Sequence, residues 1–144
     1  PKAFSFSKPK ISGLNFSFSG LKTGILYFIQ KNTEENPNFI TEHLADICAS
    51  VQYTIVEILM SKLKKAVKET GIKQVAIGGG VSANSGIRNA LTALGKQYGW
   101  QTFVPKFQYC TDNAAMIGIV GYHKFLEGNF VAQEVTAQAR LSFN

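Results

Sequence analysis

Short apolar runs alternate with helical patterns after residue 70, and this order constrains the fold more than any other feature. Residues 74–77 predict a short strand, which is followed by Gly78-Gly79-Gly80 and then by a helix over about residues 84–98. A second strand at residues 103–104 precedes a last helix that ends near Glu127. Strands joined by a helical crossover pair in parallel, so we expect an α/β fold whose ligands bind beyond the carboxyl ends of the strands.

The first twenty residues contain a short repeat. Aromatic and hydroxyl residues alternate at residues 4–7 and again at residues 16–19, with Pro9 and Gly13 in the connection. A period of two is typical of a strand with one buried face. We therefore expect an N-terminal β-hairpin.

Helical spacing dominates the stretch between this repeat and the first apolar strand. Ser19 is expected to cap a helix over about residues 21–31, and the polar residues 32–38 predict a loop. Residues 39–70 predict a long helix, for which Gly71 is a natural end.

Length and composition indicate one globular domain. The chain has 144 residues, of which 45% are hydrophobic and 17% charged, and such a chain buries about two-thirds of its unfolded surface. We find no apolar run of the roughly 18–20 residues that a membrane helix needs, so we expect no membrane partner. Residues 131–144 are expected to add one short strand.

The charge is basic, with a formal net value of +6. This favours a polyanionic partner such as nucleic acid, but an ordinary lysine-rich surface gives the same balance. Four lysines gather near the end of the long helix: Lys62, Lys64, Lys65 and Lys68. Nucleic-acid contact explains them, and so does the helix dipole together with solvation.

The cysteines and histidines do not form a site of their own. Cys48 and Cys110 lie far apart in the sequence, which fits a reduced, cytoplasmic setting. Neither His43 nor His123 has a second histidine at helical spacing, so we expect no metal-binding helix in this chain.

The glycine run is the first candidate site. Consecutive glycines let a ligand approach the backbone closely, and the free N–H groups of the following helix suit a phosphate. Asn84 offers a donor and an acceptor to a ribose or a base edge. A plain turn with Asn84 as N-cap explains the pattern equally well, and the spacing is neither that of a Walker loop nor that of a dinucleotide fingerprint.

Two other segments carry polar side chains at expected helix starts. Thr111 or Asp112 is expected to cap the last helix, and Asp112 alternatively offers a carboxylate oxygen to a metal. Cys110 has no histidine nearby in sequence to act as its base, which argues against a nucleophile. Ser19 and Lys22 either contact a phosphate or belong to a capped turn.

Three segments, taken in order, resemble the TsaD family. They are Phe-Ser-Phe-Ser-Gly-Leu-Lys-Thr at residues 16–23, Gly-Gly-Val-Ser-Ala-Asn at residues 79–84 and Cys-Thr-Asp-Asn-Ala-Ala-Met-Ile at residues 110–117. The resemblance covers nearly the whole chain and is to the C-terminal half of the family's proteins. These transfer a threonylcarbamoyl group from threonylcarbamoyl-adenylate to N6 of adenosine 37 in tRNAs that read ANN codons.

The resemblance implies a fold and a site. The family has a two-domain, actin-like fold, of which residues 1–144 would be a C-terminal subdomain without the N-terminal half. Gly79, Gly80 and Asn84 would bind the nucleotide, either ATP or threonylcarbamoyl-adenylate. Asp112 would bind one divalent metal, iron or zinc, which would polarise the carbamoyl carbonyl while the tRNA amine attacks it.

The chain also departs from the family pattern. The His-x-x-x-His pair that completes the family's metal site is absent from these residues. We therefore expect the isolated chain to bind metal weakly and to be inactive. The implied partners are tRNA and the TsaB and TsaE proteins, and apolar surface left by the missing half predicts a homodimer.

Two other functions are alternatives to the transferase. One is a nucleotide-binding module of the actin-like superfamily without catalysis, which would have no need of a metal carboxylate at Asp112. The other is a protease, because the family once carried the label O-sialoglycoprotein endopeptidase. Two isolated histidines provide neither a His-Glu-x-x-His motif nor a plausible catalytic triad, which argues against the protease.

Overall fold

The computed structural model describes residues 2–9 and 11–137, which form parts of two compact units, Pro1–Cys110 and Thr111–Asn144. Among these described residues, the first unit contains three α-helices, two 3₁₀ helices and a two-stranded sheet, and the second contains one α-helix. In chain order the elements are α1 (Ser19–Glu35), α2 (Phe39–Thr70), β1 (Gln74–Ala76), α3 (Ser85–Tyr98), β2 (Gln101–Phe103) and α4 (Ala114–Leu126).

The two strands pair in parallel through α3, as the alternating pattern predicts. Val75 lies opposite Thr102 in the register, and the Ile77 N–H donates to the Phe103 carbonyl at 3.1 Å just beyond β1. A Cβ atom on Gly95 of α3 would stand only 2.7 Å from Thr102 Cγ2. Glycine at this position therefore allows α3 to lie close against β2. The α/β prediction is confirmed, although β2 begins two residues earlier and ends one residue earlier than expected.

The long helix α2 supplies the centre of the first unit and has the predicted bounds. It ends at Gly71, whose φ of 73° is favourable for glycine, and the Gly71 N–H donates to the Val67 carbonyl at 2.9 Å. One side of α2 contributes to a hydrophobic cluster with β1 and α3 whose buried members are Met60, Val75, Ile87 and Leu91. Another side contributes to a cluster of Phe6, Leu21 and Ile58.

A window of 18 residues within α2 has a mean hydropathy of 1.3. By length and composition alone it is apolar enough to cross a membrane, contrary to the sequence-based expectation. The core helix of a folded domain has the same composition, and α2 contributes residues to both hydrophobic clusters.

The predicted N-terminal hairpin is wrong, since residues 2–9 and 11–18 contain no strand. Phe4 and Phe6 pack instead against Phe28 of α1, and the Phe4 N–H donates to Ser50 Oγ of α2 at 3.1 Å. An isolated two-stranded hairpin is marginal in water, whereas aromatic side chains gain by burial against helices. The alternation therefore marks an extended segment on a helical surface.

An ion pair also holds this segment to α2. Lys8 Nζ lies 2.7 Å from Glu57 Oε1, and its hydrogen bond lowers the pKa of the Glu57 carboxyl below its usual value. Because its pKa is lowered in the folded state, the Glu57 carboxylate stabilises the fold at pH values above the ordinary pKa of a carboxyl. This contribution is lost as the pH falls through the lowered pKa. Both side chains are well exposed, so solvent screening keeps the contribution small.

Two helix starts differ from the prediction by one or two residues. Ser19 is the first residue of α1, whose N-cap is Phe18 and has no side-chain cap bond. Helix α1 continues to Glu35, and the expected loop shrinks accordingly. In the second unit the cap of α4 is Asn113 instead of Thr111 or Asp112.

The short strand expected within residues 131–144 is not found at residues 131–137. The rest of that range, residues 138–144, lies outside the described residues.

Candidate functional site

The glycine run forms an open turn at the carboxyl end of β1. Gly79 has φ 77° and ψ 174°, a conformation that is strained for other residues. A Cβ atom placed on Gly78, Gly79 or Gly80 would meet no atom within 4 Å. The described residues of the first unit therefore leave the turn uncovered, and a ligand can approach its backbone directly.

Ser82 stabilises this turn through hydrogen bonds to its backbone. It is buried in the short 3₁₀ helix Gly80–Ala83, and its hydroxyl donates to the Gly79 carbonyl at 2.6 Å. The Ser82 N–H donates to the same oxygen at 2.9 Å. Two donors on one carbonyl fix the orientation of the Gly79 peptide, so the turn keeps its shape without a ligand.

Asn84 is the N-cap of α3, in agreement with the simpler of its two interpretations. Its Oδ1 accepts from the Ile87 N–H at 3.1 Å, and its Nδ2 donates to Gln52 Oε1 at 3.2 Å. An amide nitrogen carries two hydrogens, so one donor remains for a further contact. The nucleotide contact of Asn84 stays a prediction, and the cap bond does not prevent it.

Gln52 of α2 is a site residue that the sequence patterns did not reveal. It contacts Asn84 across 32 positions of sequence. It also faces a pocket of 310 Å³ lined chiefly by apolar side chains, which include Ile47, Cys48, Val51, Ile55 and Ile87. A polar residue among apolar neighbours of α2 is the one signal that could have identified it.

Arg88, one turn after Asn84, was also missed. Its Nε donates to the Ser82 carbonyl at 2.6 Å, and one terminal nitrogen donates to the Pro105 carbonyl at 2.7 Å and to Cys110 Sγ at 3.0 Å. The guanidinium also stacks over the Phe107 ring at 4.0 Å. Arg88 thus joins the glycine turn to the segment after β2, and it keeps the buried Cys110 in a structural position.

The segment at residues 16–23 adjoins the glycine turn. Phe18, Leu21, Lys22 and Val81 line one apolar groove of 590 Å³, together with Ile25, Ile55 and Leu59. Two of the three motif segments therefore meet at one surface of the first unit.

Asp112 lies in the second unit, directly before the cap of α4. It is exposed and lines a shallow pocket of 390 Å³ with Asn113, Ala114, Met116 and Ile117. Across residues 2–9 and 11–137, no three His, Cys, Asp or Glu side chains gather to hold a metal ion. Within the described residues Asp112 therefore has no cluster of further ligands, and a single carboxylate does not make a metal site.

Comparison with known families decides the relationship. The family model for TsaD, described as tRNA N6-adenosine threonylcarbamoyltransferase, matches residues 2–119, a range that includes all three motif segments. The chain belongs to the TsaD family. The family prediction is therefore confirmed.

Curated TsaD relatives support the same relationship. The chain is 65% identical over 143 residues to tRNA N6-adenosine threonylcarbamoyltransferase of Christiangramia forsetii, a match that covers 99% of the chain and 42% of the relative. It is 52% identical to the protein of that name from Riemerella anatipestifer, with 100% of the chain and 42% of the relative covered. The chain thus spans about two-fifths of the length of these TsaD proteins.

The cap role of Asn84 in this TsaD chain is open to a stability test. Asn84→Ala removes the acceptor for the Ile87 N–H, so we expect the free energy of unfolding in urea to fall by about 1 kcal/mol. Asn84→Ser retains a capping oxygen and should stay within a few tenths of a kcal/mol of the wild type. Equal stability of the alanine variant and the wild type would contradict the cap role.

Proposed function

We propose that the longer protein represented by this chain transfers a threonylcarbamoyl group from threonylcarbamoyl-adenylate to N6 of adenosine 37 in tRNAs that read ANN codons. The observation that carries the proposal is the TsaD family match over residues 2–119. The curated relatives that match nearly the whole chain bear the name of that activity. The open glycine turn suits the nucleotide part of such a donor.

The glycine turn and α3 supply the binding chemistry. Gly79 and Gly80 leave the backbone accessible to the adenosine, and the N-terminus of α3 favours a nearby phosphate. The free Nδ2 hydrogen of Asn84 adds a donor at this place, and its contact with Gln52 fixes the direction of the amide. These groups hold the adenylate while the N6 amine of adenosine 37 attacks the carbamoyl carbon. A carbon–nitrogen bond forms, the bond between that carbon and the phosphate oxygen breaks, AMP leaves, and the amine gives up one proton to solvent.

We assign to Asp112 the role of one ligand of a divalent metal, iron or zinc. Bound metal would polarise the carbamoyl carbonyl. The described residues alone do not fit a complete metal site, because Asp112 has no cluster of further ligands. The rest of the longer protein must provide these ligands, and the isolated chain is therefore inactive.

The wider setting belongs to the same proposal. The chain forms part of an actin-like two-domain fold and works in the cytoplasm with TsaB, TsaE and tRNA. Every residue of α4 is exposed, including Ile117, Phe125 and Leu126. Such apolar surface drives association, and we propose that the isolated chain forms a homodimer.

The test is the formation of threonylcarbamoyladenosine on tRNA, measured by mass spectrometry of digested nucleosides. We expect product from the full-length protein with TsaB, TsaE and threonylcarbamoyl-adenylate, and none from the 144-residue chain under the same conditions. Failure of the full-length protein to make product while it still binds ATP would favour a nucleotide-binding module without catalysis. Product from the isolated chain would refute the need for outside metal ligands.

A further inference from the structure

The lysines near the end of α2 separate into two pairs with different surroundings. Lys62 Nζ donates to the carbonyls of Ile11 and Gly13 at 2.7 and 2.8 Å, and Lys65 Nζ lies 3.3 Å from the Gly13 carbonyl. These two hold the N-terminal segment on α2. Lys64 and Lys68 make no hydrogen bond or ion pair with residues of the described chain. Lys62 and Lys65 therefore hold the N-terminal segment, and Lys64 and Lys68 have no such role within the described chain.

Lys64 and Lys68 face a groove of 450 Å³ that combines positive charge with aromatic rings. The side chains that line it are Lys64, Val67, Lys68, Lys73, Tyr98 and Trp100. Tyr98 and Trp100 stack with ring centroids 5.5 Å apart and an interplanar angle of 23°. Trp100 packs against the core, whereas Tyr98 is 46% exposed. The stack is therefore anchored on one side and accessible on the other.

The positive charges that line this groove repel one another, and this repulsion lowers the stability of the folded chain. Lys64 and Lys68 are four residues apart on one helix face, a spacing at which like charges repel. No Asp or Glu lines the groove. The helix dipole favours Lys68 in the last turn, but Lys64 lies further from the helix end and Lys73 lies beyond it. A polyanion would relieve this repulsion.

We propose that this groove binds RNA, with the phosphates near Lys64, Lys68 and Lys73 and an unpaired base stacked on Tyr98. Lysines neutralise phosphates, and an aromatic face accepts any base, so the two features together fit a nucleic acid better than an acidic protein. The inference rests on the proposed function, which supplies tRNA as the RNA. It adds the contact surface, which lies apart from the glycine turn.

A tRNA-binding assay tests the groove. The affinity of the full-length protein for a labelled tRNA that reads ANN codons is measured over a range of salt concentrations. Lys68→Gln/Lys73→Gln removes two phosphate contacts and should flatten the slope of log affinity against log salt by about 1.5. The control Lys31→Gln/Lys124→Gln removes the same charge from exposed positions elsewhere and should keep the wild-type slope. Lys68→Arg/Lys73→Arg should retain it as well.

The stacking contact has its own variant. Tyr98→Leu keeps an apolar side chain but offers no ring, and we expect tRNA affinity to fall by about 5-fold to 100-fold with an unchanged salt slope. Circular dichroism of each variant confirms that the fold is retained. Wild-type affinity and slope in both the lysine and the tyrosine variants would overturn the proposal.

A parallel assay of threonylcarbamoyladenosine separates this inference from the proposed function. Groove-dependent tRNA binding without product would support the groove and refute the transferase. Product formation with tRNA binding that none of the groove variants alters would support the transferase and refute the groove.

Discussion

Replacing Asp112 by alanine in the full-length protein is expected to reduce threonylcarbamoyl transfer by more than the roughly 10–100-fold that is typical of outer-shell partners of a metal. The proposed role is direct metal ligation, so the loss of its carboxylate lowers both metal content and transfer. Asp112 is exposed and does not cap α4. Stability should therefore change by no more than about 0.5 kcal/mol. Nucleoside analysis and metal quantification on one preparation measure both effects.

The neighbouring Asn113 provides a matched control. Its Oδ1 accepts from the Met116 N–H at 3.2 Å, so Asn113→Ala removes the cap of α4 but keeps Asp112. We expect a stability loss of about 1 kcal/mol with metal content retained. Wild-type transfer and metal content in Asp112→Ala would remove Asp112 from the site and leave the transferase assignment in place.

Replacing Leu91 by alanine is expected to lower the free energy of unfolding by about 2–5 kcal/mol. Leu91 has 0% exposure and belongs to the cluster between α2, β1 and α3. The shorter side chain leaves a cavity that close-packed neighbours fill only in part. Urea unfolding followed by circular dichroism measures the loss.

The same substitution at an exposed position separates burial from helix propensity. Leu26 of α1 is 51% exposed, and alanine is at least as good a helix former as leucine. Leu26→Ala should therefore change stability by far less than Leu91→Ala. Equal losses at the two positions would contradict the assignment of Leu91 to the core.

The parts of the fold that the sequence predicted correctly are those that local patterns determine. Apolar residues recur along α2 at helical spacing, and a glycine follows its last residue. Both the length of the helix and the position of its end could therefore be predicted. The alternation at residues 4–7 was misleading because a strand and an extended segment on a helix bury side chains with the same period. The pattern does not specify the partner that covers them.

The candidate site shows the same division. The glycine turn and Asn84 follow one another in sequence, and their positions at the end of β1 were predicted. Gln52 and Arg88 were not, because their contacts join residues that are distant in the chain. The predicted cap of α4 was Thr111 or Asp112, and the structure has Asn113, one or two positions later. Periodicity does not resolve so small a difference.

Because α2 is one continuous helix, it fixes the distance between the two surfaces that it carries. Gln52, next to Asn84, and Lys68, in the basic groove, stand on the same 32-residue helix. A rise of 1.5 Å per residue sets them about 24 Å apart along its axis. Because an α-helix resists stretching, this spacing is the same whether or not either place is occupied. Insertion of a single residue between them would turn one about 100° relative to the other, so the register of this helix relates the two surfaces in both distance and direction.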